Sequence, residues 1–325
     1  MKRILVSGAS GIVGYGIAKS LRQRPDCFYL IGSTIYPNSA AGIFFDEVEI
    51  APRSSSPDYI NWLISVIHKH QVDMVIPAVE DDLRVWSLHA DAICAAGAFP
   101  LLNSSELVRL CADKWLFYQE LVKHGFAFLI ESSLSGDYDE LSARFGTSFL
   151  LKPRSGYGSK GVVRVHDAQG MDAYSARMGH ELMAQPIVGD DQNEYTVAAF
   201  GDGQGHYLAS MAMRRTLSSQ GFTEYAEVCD FEPFLSAVSA LCKHFKPIGP
   251  TNFQFRVHQG QPKLLEINPR ISSSASIRSA FHFNESLMSV DYFLDRREFS
   301  VPSVRPGKAM RYIEDHVSYA DSVYF

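Results

Sequence analysis

Several features that would place the chain in a specialised class are missing from its sequence. The five cysteines form no C-x-x-C pair, which disfavours both a zinc motif and a disulfide framework. An odd number of scattered thiols fits a reducing cytoplasm. The formal net charge is −6 and Lys and Arg form no block, so the basic footprint of a nucleic-acid binder is missing.

Long apolar runs are missing as well. The start, MKRILVSGASG, has a basic pair and then a few apolar residues before Ser7 and Gly8, which is too short for a signal-peptide core. No other stretch approaches the roughly 20 apolar residues of a membrane span. We find no internal repeat. These features predict a cytoplasmic protein that binds neither nucleic acid nor membrane.

The composition that remains is that of an ordinary globular protein. The 325 residues are 46% hydrophobic and 20% charged, which is typical of soluble chains. This length suffices for about two or three domains with a substantial core.

Residues 1–103 have the pattern of a parallel α/β domain. The strand RILVSG leads through Gly8, Gly11 and Gly14 into a helix, which is the opening of a Rossmann-type half. A pyrophosphate could bind there, so an NAD(P)-dependent oxidoreductase or epimerase is one hypothesis. Such enzymes usually carry an acidic residue after the second strand, where this chain has GSTIYPNS. A tight turn that needs glycine is therefore the favoured interpretation.

Two polar features of the following segments have both a functional and a structural interpretation. The acidic residues 80–82 follow the third strand, where they either border a substrate site or lie in solvent. Lys114 lies near the start of a predicted helix and could reach a phosphate. A single helix lysine, however, is usually only solvated.

The stretch SFLLKPRSGYGSKGVVRVH predicts two strands joined by a glycine-rich loop. Gly156, Gly158 and Gly161 would let backbone N–H groups approach phosphate oxygens and let the loop open and close over a ligand. Lys152 lies on the strand that enters the loop, where it can face the same phosphate. The alternative is an ordinary glycine-rich hairpin turn without a ligand.

The segment ELMAQPIVGDDQNEYTVAAF predicts a strand, a short polar loop and a second strand. The backbone of Ile187 and Val188 could meet the edge of an adenine, and Glu194 could accept hydrogen bonds from ribose hydroxyls. The alternative is a simple connector between subdomains.

Residues 251–274 predict an antiparallel hairpin that gathers oxygen-bearing side chains on one face. Side chains two residues apart on a strand point to the same side. Pairing across the turn sets Gln254 opposite Glu266 and Asn252 opposite Asn268. Mg²⁺ prefers oxygen ligands, usually including one or two carboxylates. Gln254, Glu266 and Asn268 are therefore candidate metal ligands.

The same alternation predicts that Leu265 and Ile267 face the interior. Arg270 follows the second strand and offers a guanidinium that can bind a phosphate or a carboxylate through two hydrogen bonds. A metal site beside an arginine suggests phosphoryl chemistry. The alternative is an amphipathic hairpin whose polar face only meets water.

Taken together, these segments resemble the ATP-grasp superfamily, closest to the large subunit of carbamoyl-phosphate synthase and its stand-alone carboxylate–amine ligase relatives. The resemblance rests on Asp113 and Lys114, FLLKPRSGYGSKGV, QPIVGDDQNEYTV, NFQF and EINPRISSSAS, in the order of the family. On the adenine-facing strand, where that branch often has an acidic residue, this chain has Gln185. The chain is too short to be a whole carbamoyl-phosphate synthase.

The resemblance implies a mixed α/β and α+β fold: an N-terminal Rossmann-like parallel α/β domain followed by two antiparallel-sheet subdomains that clamp ATP. The expected boundaries divide the chain into four parts. The N-terminal Rossmann-like domain would comprise residues 1–103, the helical linker and lid residues 104–185, the catalytic subdomain residues 186–300, and the tail residues 301–325. The tail has no motif and could cover the rim of the active site or a neighbouring subunit.

The resemblance also implies a ligase that uses ATP and Mg²⁺, or Mn²⁺. Lys114 and Lys152 would neutralise phosphate charge, while Arg270, with Arg214 or Arg215, would hold the substrate carboxylate. That carboxylate would become an acyl phosphate, which an amine would convert to an amide. A small carboxylic acid and an amine are the expected partners, and a homodimer is left open. A degenerate, nucleotide-binding regulator is the alternative function.

Overall fold

The computed structural model describes residues 1–156 and 160–316 of the chain. These residues form a parallel sheet, a small antiparallel sheet and a large antiparallel sheet, each packed with helices. This arrangement confirms the predicted mixed fold. Over the same residues, none of the helices combines the length and the apolar character needed to cross a bilayer.

The N-terminal unit is a parallel sheet flanked by helices. Its elements are β1 (Lys2–Val6), α1 (Ile12–Leu21), β2 (Phe28–Thr34), a 3₁₀ turn (Ala40–Ile43), β3 (Glu47–Ile50), α2 (Tyr59–His70), β4 (Met74–Ile76), α3 (Glu80–Leu88), α4 (Ala90–Ala95) and β5 (Phe99–Pro100). The strand order is β3-β2-β1-β4-β5. Ile4 packs on the face covered by α1, whereas the next residue, Leu5, packs on the face covered by α2 and α3. A Cβ on Gly14 would lie 2.4 Å from the carbonyl oxygen of Gly8, so this turn requires glycine for packing alone.

The second unit combines helices with the small antiparallel sheet. Its elements are α5 (Ser105–Ala112), α6 (Lys114–Lys123), α7 (Tyr138–Phe145), β6 (Phe149–Pro153), β7 (Val163–Val165), α8 (Ala168–Asp172), a 3₁₀ turn (Ser175–Arg177) and β8 (Leu182–Pro186). The strand order is β7-β6-β8. The carboxylate of Asp113 accepts a hydrogen bond from the backbone N–H of Trp115 at 2.8 Å. This cap begins α6 at Lys114.

The third unit is built on the large antiparallel sheet. Its elements are β9 (Glu194–Asp202), β10 (Tyr207–Leu217), β11 (Thr223–Cys229), α9 (Glu232–Phe245), β12 (Ile248–His258), β13 (Gln261–Asn268), α10 (Ala275–Ala280), α11 (Glu285–Ser289), a π-helical turn (Val290–Leu294) and β14 (Lys308–Met310). The strand order is β13-β12-β9-β10-β11-β14. One face packs on α9 through Val197 and Phe253. The other face packs on the C-terminal helical region through Ala198 and Met211.

The described part of the tail packs against this same sheet. β14 pairs antiparallel with β11, and the next residue, Arg311, donates hydrogen bonds to the carbonyl oxygens of Thr223, at 2.7 Å, and Ser273. Residues 308–311 of the tail therefore form an integral edge of the sheet. The predicted domain boundaries at residues 103, 185 and 300 stay predictions.

Candidate active site

A large cleft of about 1030 Å³ lies between the sheets. One half is walled by the loops at the carboxyl ends of the parallel strands, which is where open α/β sheets bind ligands. The other half is walled by the lid strands and the β12–β13 hairpin. The predicted site residues that line the cleft are Lys114, Lys152, Gly156, Val188, Glu194, Arg215, Gln254, Glu266, Asn268 and Arg270.

The β12–β13 hairpin has the predicted pairing at its functional end. Gln254 pairs with Glu266 and Asn252 pairs with Asn268. Ile267, between these positions, is buried as predicted. The amide Nδ2 of Asn268 lies 3.3 Å from Oε1 of Glu266. Rotating this amide would place its oxygen beside the carboxylate, a donor pair that suits Mg²⁺.

The prediction that Leu265 faces the interior is wrong. Phe255 pairs with Leu264, although the neighbouring pair joins Gln254 to Glu266. Leu265 is therefore the extra residue of a β-bulge, which breaks the alternation of side chains. As a result, Leu264 is buried against α9, and Leu265 lines the cleft.

Gln254 lies beside a buried arginine. Nη2 of Arg215 donates to Oε1 of Gln254 at 2.7 Å and to Oε1 of Glu194 at 2.9 Å, and only 3% of the Arg215 side chain is exposed. The second oxygen of Glu194 accepts a hydrogen bond from Nη2 of Arg256 at 3.0 Å. A metal ion at Gln254 would meet the charge of Arg215, so Gln254 fits a metal least well of the predicted ligands. A ribose at Glu194 would have to share the oxygens that the arginines already contact.

Two lysines reach the cleft from the second unit. Burial lowers the pKa of Lys152 to about 8, and the negative charge of Glu266 partly opposes this shift. Nζ of Lys114 donates to the carbonyl oxygen of Gly156 at 2.9 Å, so this lysine contacts the glycine-rich loop. An anion in the cleft would favour the charged form of both side chains.

The glycine-rich loop is described on both of its sides. Gly156 and Gly161 have φ angles of 113° and 75°, which glycine adopts without the steric cost that a Cβ brings. Gly156 also lines the cleft. Gly158 lies outside the described residues, so the predicted contact of this loop with phosphate stays a prediction.

Strand alternation divides the predicted adenine-binding residues. Pro186 and Val188 line the cleft, whereas Gln185 is buried on the other side, where its Nε2 donates to Oγ of Ser132 at 2.8 Å. The position of Gln185 therefore does not fit the predicted contact with a nucleotide. The side chain of Ile187 is not among the described residues that line the cleft, so a contact there would have to use its backbone.

The predicted catalytic arginines have different surroundings. Arg270 lines the cleft; its Nη2 pairs with the carboxylate of Glu80, and its Nη1 donates to the carbonyl oxygen of Ile271 at 2.8 Å. Arg214 points to the opposite face of β10 from Arg215, because adjacent strand residues alternate. There its Nη2 donates to Glu227 at 2.9 Å. The structure therefore separates Arg214 from the cleft, contrary to the role predicted for it.

The N-terminal half of the cleft carries hydroxyl and carboxyl groups. Oγ of Ser10 lies 2.9 Å from Oγ1 of Thr34. The hydroxyl of Tyr59 donates to Asp82 at 2.7 Å, and burial raises the pKa of that carboxyl. Residues 80–82 all border the cleft, which favours the first of the two interpretations of this acidic segment.

Two arginines near the site were missed by the candidate list from the sequence. Arg256 lines the cleft, and its place on the same strand face as Gln254 was a signal that could have found it. Arg278 is fully buried, and its Nη2 donates to Oδ1 of Asn252 at 2.8 Å and to Oγ of Ser272 at 2.6 Å. The serine-rich stretch around it predicted only a loop, so no sequence signal marked Arg278.

Comparison with known proteins shows the fold and a family match over part of the chain. The family described as ATP-grasp in the biosynthetic pathway with Ter operon matches residues 180–316, which include the hinge and the β12–β13 hairpin. N5-carboxyaminoimidazole synthetase from Staphylococcus aureus in complex with ADP superimposes with a TM-score of 0.75 and 14% identity, covering 96% of this chain and 82% of that one. The chain therefore has the ATP-grasp fold, and residues 180–316 match that family, in agreement with the sequence motifs.

Two further proteins show how far the similarity extends. L-amino acid ligase from Bacillus licheniformis superimposes with a TM-score of 0.66 and 16% identity, covering 94% of this chain and 78% of that one. The carbamoyl phosphate synthase large chain of Gemmatimonas aurantiaca is 25% identical over 149 residues, which are 42% of this chain and 13% of that protein. The chain thus spans only a small part of the length of this curated relative.

Proposed function

We propose that the protein is an ATP- and Mg²⁺-dependent ligase that activates a small carboxylic acid as an acyl phosphate and joins it to an amine. The observation that carries this proposal is that Glu266, Asn268, Lys152 and Arg270 all line one cleft. The neighbours named as an L-amino acid ligase and an N5-carboxyaminoimidazole synthetase support a ligation reaction. A cytoplasmic location belongs to the proposal and is supported by the cysteines, which are free thiols.

The residues of the cleft suit phosphoryl transfer by positioning and charge stabilisation. Lys114 and Lys152 would neutralise the phosphates of ATP. Glu266 and Asn268 would hold Mg²⁺, which supplies positive charge to the phosphate oxygens; Mn²⁺ suits the same oxygen donors. The glycine-rich loop would cover the phosphates and exclude water.

The proposed reaction has two steps. An oxygen of the substrate carboxylate attacks the terminal phosphorus of ATP, and ADP leaves. The amine nitrogen then attacks the acyl carbon, phosphate leaves, and the nitrogen loses a proton. Arg270 would stabilise negative charge on the carboxylate and on the transferred group, which is supported by its guanidinium lining the cleft beside the hairpin. No covalent intermediate on the enzyme is required.

The acid and the amine would occupy the N-terminal half of the cleft. Its hydroxyl groups at Ser10 and Thr34 can bind polar substrate groups, and Asp82 and its acidic neighbours can bind an ammonium. This half lies beside Lys152 and Glu266 in the same cleft, which supports placing the carboxylate next to the proposed site of the terminal phosphate.

Phosphate release tests the proposal. The protein is incubated with ATP, Mg²⁺ and pooled acids and amines, and active pools are then separated into individual pairs. We expect release that requires one acid and one amine, is lost in Glu266→Gln and is kept in Arg214→Ala. Nucleotide binding without release in any pool would instead indicate a regulatory binding protein, and NADH binding without ATP turnover would indicate an oxidoreductase.

A further inference from the structure

Three side chains with metal-binding atoms converge away from the cleft, where α6 and α9 end. Glu120 lies in the last turn of α6, His124 follows that helix, and His244 lies in the last turn of α9. Oε1 of Glu120 is 3.0 Å from Nε2 of His124 and 3.0 Å from Nε2 of His244. Because the three ligand atoms lie within 4.8 Å of one another, a single ion can contact all three.

We propose that Glu120, His124 and His244 form a binding site for a divalent transition-metal ion of the zinc class. Two imidazole nitrogens and one carboxylate oxygen are a donor set that Zn²⁺ binds at about 2.0–2.2 Å. Mg²⁺ and Ca²⁺ prefer sites made of oxygen alone. Three protein ligands leave a fourth tetrahedral position for water or for another ligand.

The surrounding charges favour a cation at this point. The C-terminal ends of α6 and α9 meet here, and each helix end carries partial negative charge on its last carbonyl groups. The nearby ammonium of Lys123 opposes a second cation, since it lies 3.7 Å from Oε2 of Glu120. The side chain of Lys123 is 69% exposed, so water screens its charge. It also contacts Oε2 of Glu120, whereas both histidines contact Oε1.

The three ligands are held in place by the packing beneath them. The rings of Phe117, on α6, and Phe245, on α9, stack with their centroids 5.7 Å apart. Phe126 packs edge-on against the ring of His244 at 5.6 Å. The side chain of His124 is 37% exposed, and that of His244 is 25% exposed. The helices therefore fix the ligand positions, while an ion can still enter from solvent.

A second histidine–glutamate cluster shows why convergence on one point matters. His70 contacts Glu49 through Nε2, at 2.5 Å, and Glu47 through Nδ1, at 3.4 Å. Its ring thus lies between the two carboxylates, and Nζ of Lys69 lies 2.6 Å from Glu49. The ligand atoms of this cluster also lie within 4.8 Å of one another, but Nζ of Lys69 contacts both carboxylates and the cluster has one imidazole, whereas at Glu120 two imidazoles direct Nε2 to the same oxygen.

A bound ion would join two parts of the fold. α6 belongs to the second unit and begins at Lys114, which lines the cleft about 9 Å along the helix from Glu120, at roughly 1.5 Å per residue. α9 packs on the large sheet. Because α6 already packs in one core with α9 and the large sheet through Phe117 and Leu121, the ion would reinforce this contact where the two helices end, which gives the site a structural role.

Metal titration of the whole protein tests this site. We expect calorimetry to show one tight Zn²⁺ ion per chain, with affinity reduced on the order of 100-fold or more in His244→Asn and His124→Asn. His206→Asn is the matched control, because His206 is an exposed histidine paired with one carboxylate, that of Asp202, at 3.2 Å. Glu266→Gln separates this site from the cleft. Unchanged Zn²⁺ affinity in both histidine variants, or a loss only in Glu266→Gln, would overturn the proposal.

A spectroscopic measurement on the native protein tests the metal site without relying on variants that could fold poorly. Cu²⁺ bound at the site should give an electron paramagnetic resonance spectrum with coupling to two imidazole nitrogens. Zn²⁺ should also raise the melting temperature of the native protein and of His206→Asn but not that of His244→Asn. A copper spectrum without nitrogen coupling would rule out coordination by His124 and His244.

Discussion

Nη2 of Arg215 lies 2.7 Å from the amide oxygen of Gln254. This contact places a buried positive charge against one of the side chains that the sequence predicted as metal ligands. Like charges repel strongly where water is excluded, so a metal ion would move away from Gln254 and toward Glu266. We therefore expect Glu266 to contribute more to metal binding than Gln254.

Glu266→Gln should weaken the binding of Mg²⁺-ATP much more than Gln254→Ala. The first substitution removes the carboxylate, and we expect a loss on the order of 100-fold, or about 2.7 kcal/mol. The second removes an oxygen that already accepts a hydrogen bond from Arg215, and we expect a loss of less than about tenfold. Calorimetric titration with Mg²⁺-ATP gives both values. Equal losses would mean that Gln254 is a full metal ligand.

In the β12–β13 hairpin, the sequence predicted the strand pairing but not the β-bulge. Alternation of side chains was sufficient to pair Gln254 with Glu266, because register follows from the turn and the apolar pattern. The same alternation gave the wrong orientation for Leu265, because no residue pattern in this segment indicates a β-bulge. It also could not show which of the adjacent Arg214 and Arg215 faces the cleft, because that depends on which face of β10 is covered.

Contacts between distant segments were equally hard to predict. The pair formed by Arg270 and Glu80 joins the segment after β13 to the first turn of α3, and the site at Glu120 and His124 needs His244 from another helix. Each of these side chains is unremarkable in its own segment. Only the packing of α/β unit, lid and sheet against one another brings them together.

Nucleotide binding should weaken as pH rises through about 8. The pKa of Lys152 is lowered to about 8 by burial, so its ammonium is present below this pH and is lost above it. Without this charge, the phosphates lose a partner in the cleft. The dissociation constant for ATP, measured from about pH 6.5 to 9.5, should rise across this range. Lys152→Arg, which stays charged throughout, should remove the dependence.

The same shift has the opposite effect on stability. The folded pKa of Lys152, about 8, lies below the roughly 10.4 of an exposed lysine, so the charged form is disfavoured in the folded state. This destabilisation is complete below pH 8 and disappears as pH rises toward about 10.4. Lys152→Met should therefore be more stable than the native protein at pH 7 while losing ATP affinity. Urea denaturation at pH 7 and pH 10 checks the difference, and a loss of stability at pH 7 would contradict it.

Arg214 and Arg215 form a matched pair for mutation. Arg214→Ala removes an exposed ion pair with Glu227 and should change the free energy of unfolding by less than about 1 kcal/mol. Arg215→Ala removes a buried partner of Glu194 and should cost about 3 kcal/mol together with ATP affinity. Urea denaturation and ATP titration of both variants test this. Similar effects of the two substitutions would contradict the assignment of their faces.

Glu80 should act as a positioning residue for Arg270. Its carboxylate pairs with that guanidinium from the N-terminal unit, so Glu80→Ala would release Arg270 from its place. We expect kcat to fall by about 10- to 100-fold, as misplaced catalytic groups do, with little change in the KM for ATP. Glu106→Ala is the control, since Glu106 lies outside the cleft and pairs with its exposed helix neighbour Arg109 at 2.8 Å. A change in the KM for ATP alone would assign Glu80 to nucleotide binding instead.

Arg278 and Glu285 form a buried ion pair behind the hairpin, and each should need the other as its countercharge. Arg278 and Glu285 are 0% and 1% exposed, with Nη1 and Oε2 separated by 3.4 Å. Burial lowers the pKa of Arg278 and raises the pKa of Glu285, because each charge is out of water.

Glu285→Ala would leave the buried guanidinium without its countercharge, and we expect a loss of about 3–5 kcal/mol. Replacing both residues, as Glu285→Leu with Arg278→Met, removes both charges and should cost less than Glu285→Ala alone. Urea denaturation of Glu285→Leu, Arg278→Met and their double variant measures the coupling. Because Arg278 also donates to Asn252, which pairs with Asn268 in the hairpin, the double variant should bind Mg²⁺-ATP more weakly than its stability alone indicates. Additive losses of stability would show that the two charges do not depend on each other.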